Sequence, residues 1–180
     1  MTRYDDLKPL VESWRAASSA LYRDAQILPA AVAQRMRLYL GCAERAVDPD
    51  GLSHALVAPC IARWEGPAPD GRFTLTPYDL PPDWTAYVDG RFYFGLRVLL
   101  EGAQIWPKDP FWIVLSALRE GADFVVRDEN NGADFRLRVE ESDSLDRLCA
   151  HLHAAIRREL SSPPHLRAQR APIGFGLTPG

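Results

Sequence analysis

The chain has 180 residues, 47% of them hydrophobic and 25% charged, with a formal net charge of −3; these values exclude disorder, collagen and coiled coil and fit one globular domain. At 20.2 kDa, area scaling buries about 70% of the unfolded surface, enough for a core without metal or disulfide staples. Residues 1–160 carry −5 and residues 161–180 carry +2, so the basic stripe that would release counterions from nucleic acid is missing and no nucleic-acid partner is expected.

The first 25 residues mix Arg3, Asp5, Asp6, Lys8 and Glu12 with apolar groups and lack the continuous apolar run of a signal peptide. Phe111 to Leu118, the longest apolar stretch, is broken by Ser116 and falls far short of the ~20 residues that span a bilayer. No membrane partner is expected. Cys42, Cys60 and Cys149 are odd in number and widely spaced, which argues against a disulfide framework and a thiolate zinc site. Reduced thiols in a cytoplasm are the expectation.

Leu7, Leu10, Val11, Trp14, Leu21, Tyr22 and Leu28 recur at the helical period and predict a first core-packing helix. Pro29 suits a first helical position, so a second helix is expected to start there, with Val32, Ala33, Met36, Tyr39, Leu40 and Ala43 on one stripe. A strand competes over the same region. Met36, Leu38, Leu40 and Cys42 alternate with Arg35, Arg37, Tyr39 and Gly41, and the turn Asp48-Pro49-Asp50-Gly51 suits a hairpin.

The run from His54 to Trp64 contains Pro59, which confines a strand there to an edge or a bulge. Between Gly66 and Pro82 five prolines leave room for one short strand, in which Phe73 and Leu75 alternate with Arg72, Thr74 and Thr76. Asp89-Gly90 is a two-residue hairpin signal that sets Tyr87 opposite Phe92, Ala86 opposite Tyr93 and Trp84 opposite Gly95. The second strand then points Phe92, Phe94, Leu96, Val98 and Leu100 to the core and Arg91, Tyr93, Gly95, Arg97 and Leu99 away from it.

Asp109-Pro110 before an apolar run that Gly121 closes predicts a short helix, with a buried strand as the alternative. Phe124–Arg127 and Phe135–Val139 flank a hairpin loop. A four-residue loop, Glu129 to Gly132, sets Arg127 against Asp134 and Asp123 against Arg138, whereas a two-residue loop at Asn131-Gly132 opposes like charges; opposite pairs gain roughly 0.2–1 kcal/mol, so the longer loop is expected. Ser142 or Ser144 caps a last helix with Leu145, Leu148, Leu152, Ile156 and Leu160 on one stripe. A Pro/Gly/Arg tail follows, expected to be loosely ordered.

The predicted fold is α+β: one domain over residues 1–160, an antiparallel sheet with helices packed on one face, two N-terminal helices and one C-terminal helix. From the strand at 72–76 onward the order strands, helix, hairpin, helix is similar to that of type III secretion chaperones, a likeness of element order without a shared motif. It implies a dimer clasping an extended client segment.

Cys149 and His153 stand four residues apart on the last helix, a spacing metal ligands use, but the thiol falls on the apolar stripe, His153 on its rim and His151 on the opposite side. Cys60 with His54, oriented by Asp48 or Asp50, is the one pairing that suggests a nucleophile; a free cysteine in an apolar run is more commonly packed. Acid pairs such as Asp5-Asp6 and Glu140-Glu141 suit solvated caps. No catalytic residue, metal ligand or cofactor is assigned. Trp84, Arg91, Tyr93 and Arg97 share one side of the sheet, and these residue types are enriched at binding hot spots, unless one of the protein's own helices covers them. The expected function is a non-enzymatic cytoplasmic protein-binding module of chaperone, inhibitor or immunity type, its partner another protein, with a homodimer among the open assemblies. The alternative is a small enzyme or ligand binder whose pocket lies between sheet and helix and uses Cys60, His54 or Tyr93.

Overall fold

The computed structural model describes residues 3–65, 72–77, 87–88, 90–100 and 109–161. One helix, α1 (Arg3–Leu40), stands where two were expected, and it runs through Pro29. An interior proline forfeits the hydrogen bond to the carbonyl four residues earlier and costs about 3 kcal/mol or more. Packing outweighs that cost here. Ala25, Leu28, Val32 and Met36 lie on one face across the proline, each at most 3% exposed, and burying such side chains contributes roughly 1.5–3 kcal/mol apiece for the larger ones. The strand alternative for residues 36–42 gives way to helix as far as Leu40. Gly41, at φ 64°, ends it: Gly41 N–H donates to the Leu38 carbonyl at 3.1 Å and Cys42 N–H to that of Arg37 at 3.3 Å, the two bonds of a Schellman cap.

The Asp48–Gly51 turn does close a hairpin, but between β1 (Arg45–Val47) and β2 (Ser53–Ala55). Asp48 fixes it, its Oδ1 accepting from Leu52 N–H at 2.7 Å. The main sheet is built from β3 (Val57–Glu65), β4 (Arg72–Pro77), β5 (Tyr87–Val88), β6 (Arg91–Leu100), β7 (Asp109–Glu120), β8 (Asp123–Asp128) and β9 (Ala133–Leu137). Its order is β4-β3-β6-β7-β8-β9, with β5 also on β6, and every pairing is antiparallel. The α+β class is therefore as predicted, with one N-terminal helix in place of two.

The predicted helix at 109–121 is β7. Asp109, Pro110 and Gly121 mimic helix punctuation, yet Phe111, Ile113, Leu115 and Ala117 alternate into the core, none more than 3% exposed, as a half-buried strand requires. Pro110 pairs with Leu99 of β6, whereas β8 joins β7 only from Leu115 onward, so the missing N–H falls where one side of the strand is free. Pro59 is placed the same way, opposite Leu96 and just before β4 begins to pair at Cys60. With a strand in place of that helix, the order resembling type III secretion chaperones is not the one this chain adopts.

Both hairpin registers follow the sequence over the described residues; the expected pairings of Ala86 with Tyr93 and Trp84 with Gly95 lie outside them. Tyr87 pairs with Phe92 and Val88 with Arg91. Arg127 faces Asp134, Phe124 faces Leu137 and Val126 faces Phe135; beyond the last ladder pair, Arg138 Nη2 reaches Asp123 at 2.8 Å. The final helix, α2 (Ser142–Ser161), buries Leu145, Leu148, Cys149, Leu152 and Ile156. α1 and α2 share one core with the same face of β6, β7, β8 and β9. Two ion pairs tie α1 to its neighbours: Arg119 of β7 to Asp24 of α1 at 2.5 Å, and Arg35 of α1 to Asp146 of α2. The tail expected to be loosely ordered, residues 161–180, lies outside the described residues beyond Ser161. Among the described residues no helix is long and apolar enough to cross a membrane.

Candidate functional site

The face of the sheet turned away from the helices carries Arg91, Tyr93 and Arg97, all half-buried; Trp84 lies outside the described residues. Register sets Arg97 between Ala58 and Trp112, and Tyr93 beside Ser116. The Arg97 guanidinium sits 6.0 Å from the Trp112 ring centre, a cation–π distance, and its Nε is buried without a hydrogen bond. Arg91 Nη1 donates to Ser116 Oγ at 3.3 Å, and that hydroxyl donates to Glu129. The same face is substantially closed: Cys60, Ala62 and Ser116 are each 0% exposed. Leu75 of β4 leans across to Gly95, where a Cβ would meet its Cδ2 at 2.5 Å.

Cys60 and His54 occupy separate sheets. Burial pushes the Cys60 thiol up to about 12, and its Sγ donates to the Ala58 carbonyl at 3.7 Å. His54 Nε2 stands 2.9 Å from Asp48 Oδ2, a bond that holds the Asp48 carboxyl below its ordinary value. The carboxylate that could have oriented a catalytic base instead braces the β1–β2 hairpin. Cys149 is pushed up to about 12 by burial as well, and His153 is exposed, its ring 6.0 Å from that of Tyr39. Among the described residues no three His, Cys, Asp or Glu side chains gather as metal ligands would. A groove of about 340 Å³ does run between sheet and helix, lined by Ala30, Ala33 and Arg37 of α1 and by Ala55, Val57 and Pro59. Neither Cys60, His54 nor Tyr93 lines it.

Sequence periodicity turned His151 away from the core; the structure gives it a partner there. Its Nε2 is 2.9 Å from Oδ2 of Asp128, which is 1% exposed, and its ring lies tilted at 51° against that of Phe135, centres 4.9 Å apart. Asn131 Nδ2 donates to the same carboxylate at 2.6 Å and Asn130 N–H at 3.0 Å. These three bonds engage both oxygens of the buried Asp128 carboxylate, so the cluster ties the β8–β9 loop to α2. The signal available in sequence was the acid that opens the Asp128–Gly132 loop, a position that favours local capping.

A larger feature lies on α1. The face that buries Ala25, Leu28, Val32 and Met36 continues toward the N-terminus as Tyr4, Leu7, Leu10, Val11 and Trp14, which are 71%, 54%, 64%, 44% and 70% exposed. Five large apolar side chains in one stripe on a helix of about 57 Å form a contiguous patch, the kind that marks a docking surface. Compared with family models, curated proteins and solved structures, the chain matches none.

Proposed function

We propose that the chain is a protein-binding module, non-enzymatic in its own right, that docks through the apolar stripe on the first half of α1. One observation carries this: Leu7, Leu10 and Trp14 stay more than half exposed although they continue the helix's own core-facing stripe. A helix face that is apolar and uncovered needs a partner to bury it. The half-buried Arg91, Tyr93 and Arg97 support docking less well, because Cys60, Ala62 and Ser116 around them are already covered. The buried, protonated thiols of Cys60 and Cys149 offer no support to a cysteine mechanism.

The test is native mass spectrometry of the chain taken gently from its own host, beside a Leu10→Ser/Trp14→Ser variant of matched helical circular dichroism. A stoichiometric protein partner, whether another chain or a second copy, held by the wild type and lost by the variant is the expected result. A wild-type chain that is bare, or that carries only a small molecule, overturns the proposal.

A further inference from the structure

We infer that the groove between the second half of α1 and the start of β3 is a binding site for a small aliphatic α-amino acid. This goes beyond the docking role proposed above and does not depend on it. Ala30, Ala33, Gln34 and Arg37 recur at helical spacing and line the groove from one face of α1. Opposite them stand Ala55 of β2 and Val57 and Pro59 of β3. Val57 and Pro59 pair with Val98 and Leu96 of β6, whereas β4 joins β3 only from Cys60 onward. Among the described residues this stretch is therefore a margin of the sheet, where helix and strand meet through small side chains. They leave about 340 Å³, at the small end of the roughly 300–1,000 Å³ typical of small-molecule sites. A free amino acid fits there, and a folded partner does not.

Charge names the ligand. Arg37 and Glu44 both line the groove, yet among the described residues neither side chain makes an ion pair or a hydrogen bond. The neighbouring arginines are engaged elsewhere, Arg35 with Asp146 and Arg45 with Ser53. Both backbones are fixed: the Arg37 carbonyl accepts from Cys42 N–H at 3.3 Å and the Glu44 carbonyl from Leu56 N–H at 3.2 Å. One groove thus presents a cation and an anion that do not neutralise each other. A simple carboxylate would gain from Arg37 and be repelled by Glu44, and a simple amine the reverse. A zwitterion satisfies both. An α-amino acid carries its two charges on one carbon, so its carboxylate can take Arg37 and the Gln34 amide while its ammonium takes Glu44. The floor of Ala33, Ala55, Val57 and Pro59 is apolar, with Ala33 and Val57 only 4% and 7% exposed, and it suits an aliphatic side chain.

Titration calorimetry of the full chain tests the site with L-alanine, L-valine and L-leucine, beside isoamylamine and isocaproate, which keep the leucine side chain and lose its carboxylate or its ammonium. At least one of the three amino acids, with L-leucine the tightest, is expected to bind with Kd below about 1 mM, and both single-charge analogues about ten-fold or more weakly than L-leucine. Arg37→Met should bring L-leucine down to the level of isoamylamine and leave isoamylamine itself unchanged. Glu44→Gln should bring it down to the level of isocaproate and leave isocaproate unchanged. A misfolded variant would lose every compound alike, so this crossed pattern separates recognition from stability. Ala30→Phe, at an exposed helix position, fills the groove and should weaken all of them at unchanged helical circular dichroism. No heat from any of the three amino acids at millimolar concentration overturns the inference. So does L-leucine binding no more tightly than its two analogues, or binding as in wild type to Ala30→Phe.

Discussion

Cys60 and Cys149 are held at about 12 by burial, so at neutral pH both are thiols, and the thiolate is the nucleophile. Native alkylation with iodoacetamide is expected to modify half-buried Cys42 first and to spare the other two until the chain is unfolded; rapid labelling of Cys60 in the folded protein would contradict this. Gly95 is a second residue whose identity the packing dictates. An added Cβ would lie 2.5 Å from Leu75 Cδ2 and 3.1 Å from Cys60 Cβ, and overpacking of this kind costs about 1–2 kcal/mol when a flexible side-chain end can shift. Gly95→Ala is expected to lower the urea midpoint accordingly; an unchanged midpoint would mean that Leu75 does not press on β6. Asp24, 4% exposed, depends on Arg119. Arg119→Ala leaves a buried carboxylate without that partner, and urea unfolding should show a loss of about 1–3 kcal/mol. At this scale the sequence exposed what alternation encodes: Phe92, Phe94, Leu96 and Val98 point inward as read. It hid what depends on distant elements. The Leu75 contact to Gly95 and the bond from His151 to Asp128 join residues far apart along the chain, and no local pattern announces them.

Elements were legible where local chemistry decides them. The Tyr87–Phe92 pairing and the charge register of the β8–β9 hairpin needed only neighbours, and both are realised. The two misread elements were decided by packing instead. Residues 109–120 have the punctuation of a helix, but their alternating apolar residues fit between β6 and β8. Pro29 should end a helix, and α1 continues because its apolar face continues. The contacts between elements also predict a pH dependence. Hydrogen bonding by Arg35 holds the Asp146 carboxyl below its ordinary 3.8, and bonding by Arg138 and then Arg136 does the same for Asp123. A carboxyl depressed in the folded state binds protons more readily when unfolded, so its stabilisation is complete above the ordinary value and is lost as pH falls through the folded one. Melting temperature should therefore fall as pH drops below about 4, and Arg35→Ala should make that acid limb shallower. An acid limb identical in the variant would show that the link between α1 and α2 contributes nothing to it.

For the whole molecule, composition and periodicity sufficed for the α+β class, and could not say which part of the surface stays uncovered. Leu7, Leu10 and Trp14 belong to the same period as Leu28, and sequence alone treats all of them as core. Only the extent of the sheet and of α2 separates them: the helix outruns the body it packs on, leaving its first half as an apolar face with no cover among the described residues. The measurement that tests the docking role of this face most directly is hydrogen exchange on the full chain, purified alone and held in the assembly isolated from its host. Residues 25–36 face the core and should be protected throughout. Residues 5–18 should exchange rapidly in the chain alone and become protected in that assembly, whereas rapid exchange of that segment in both would contradict the account.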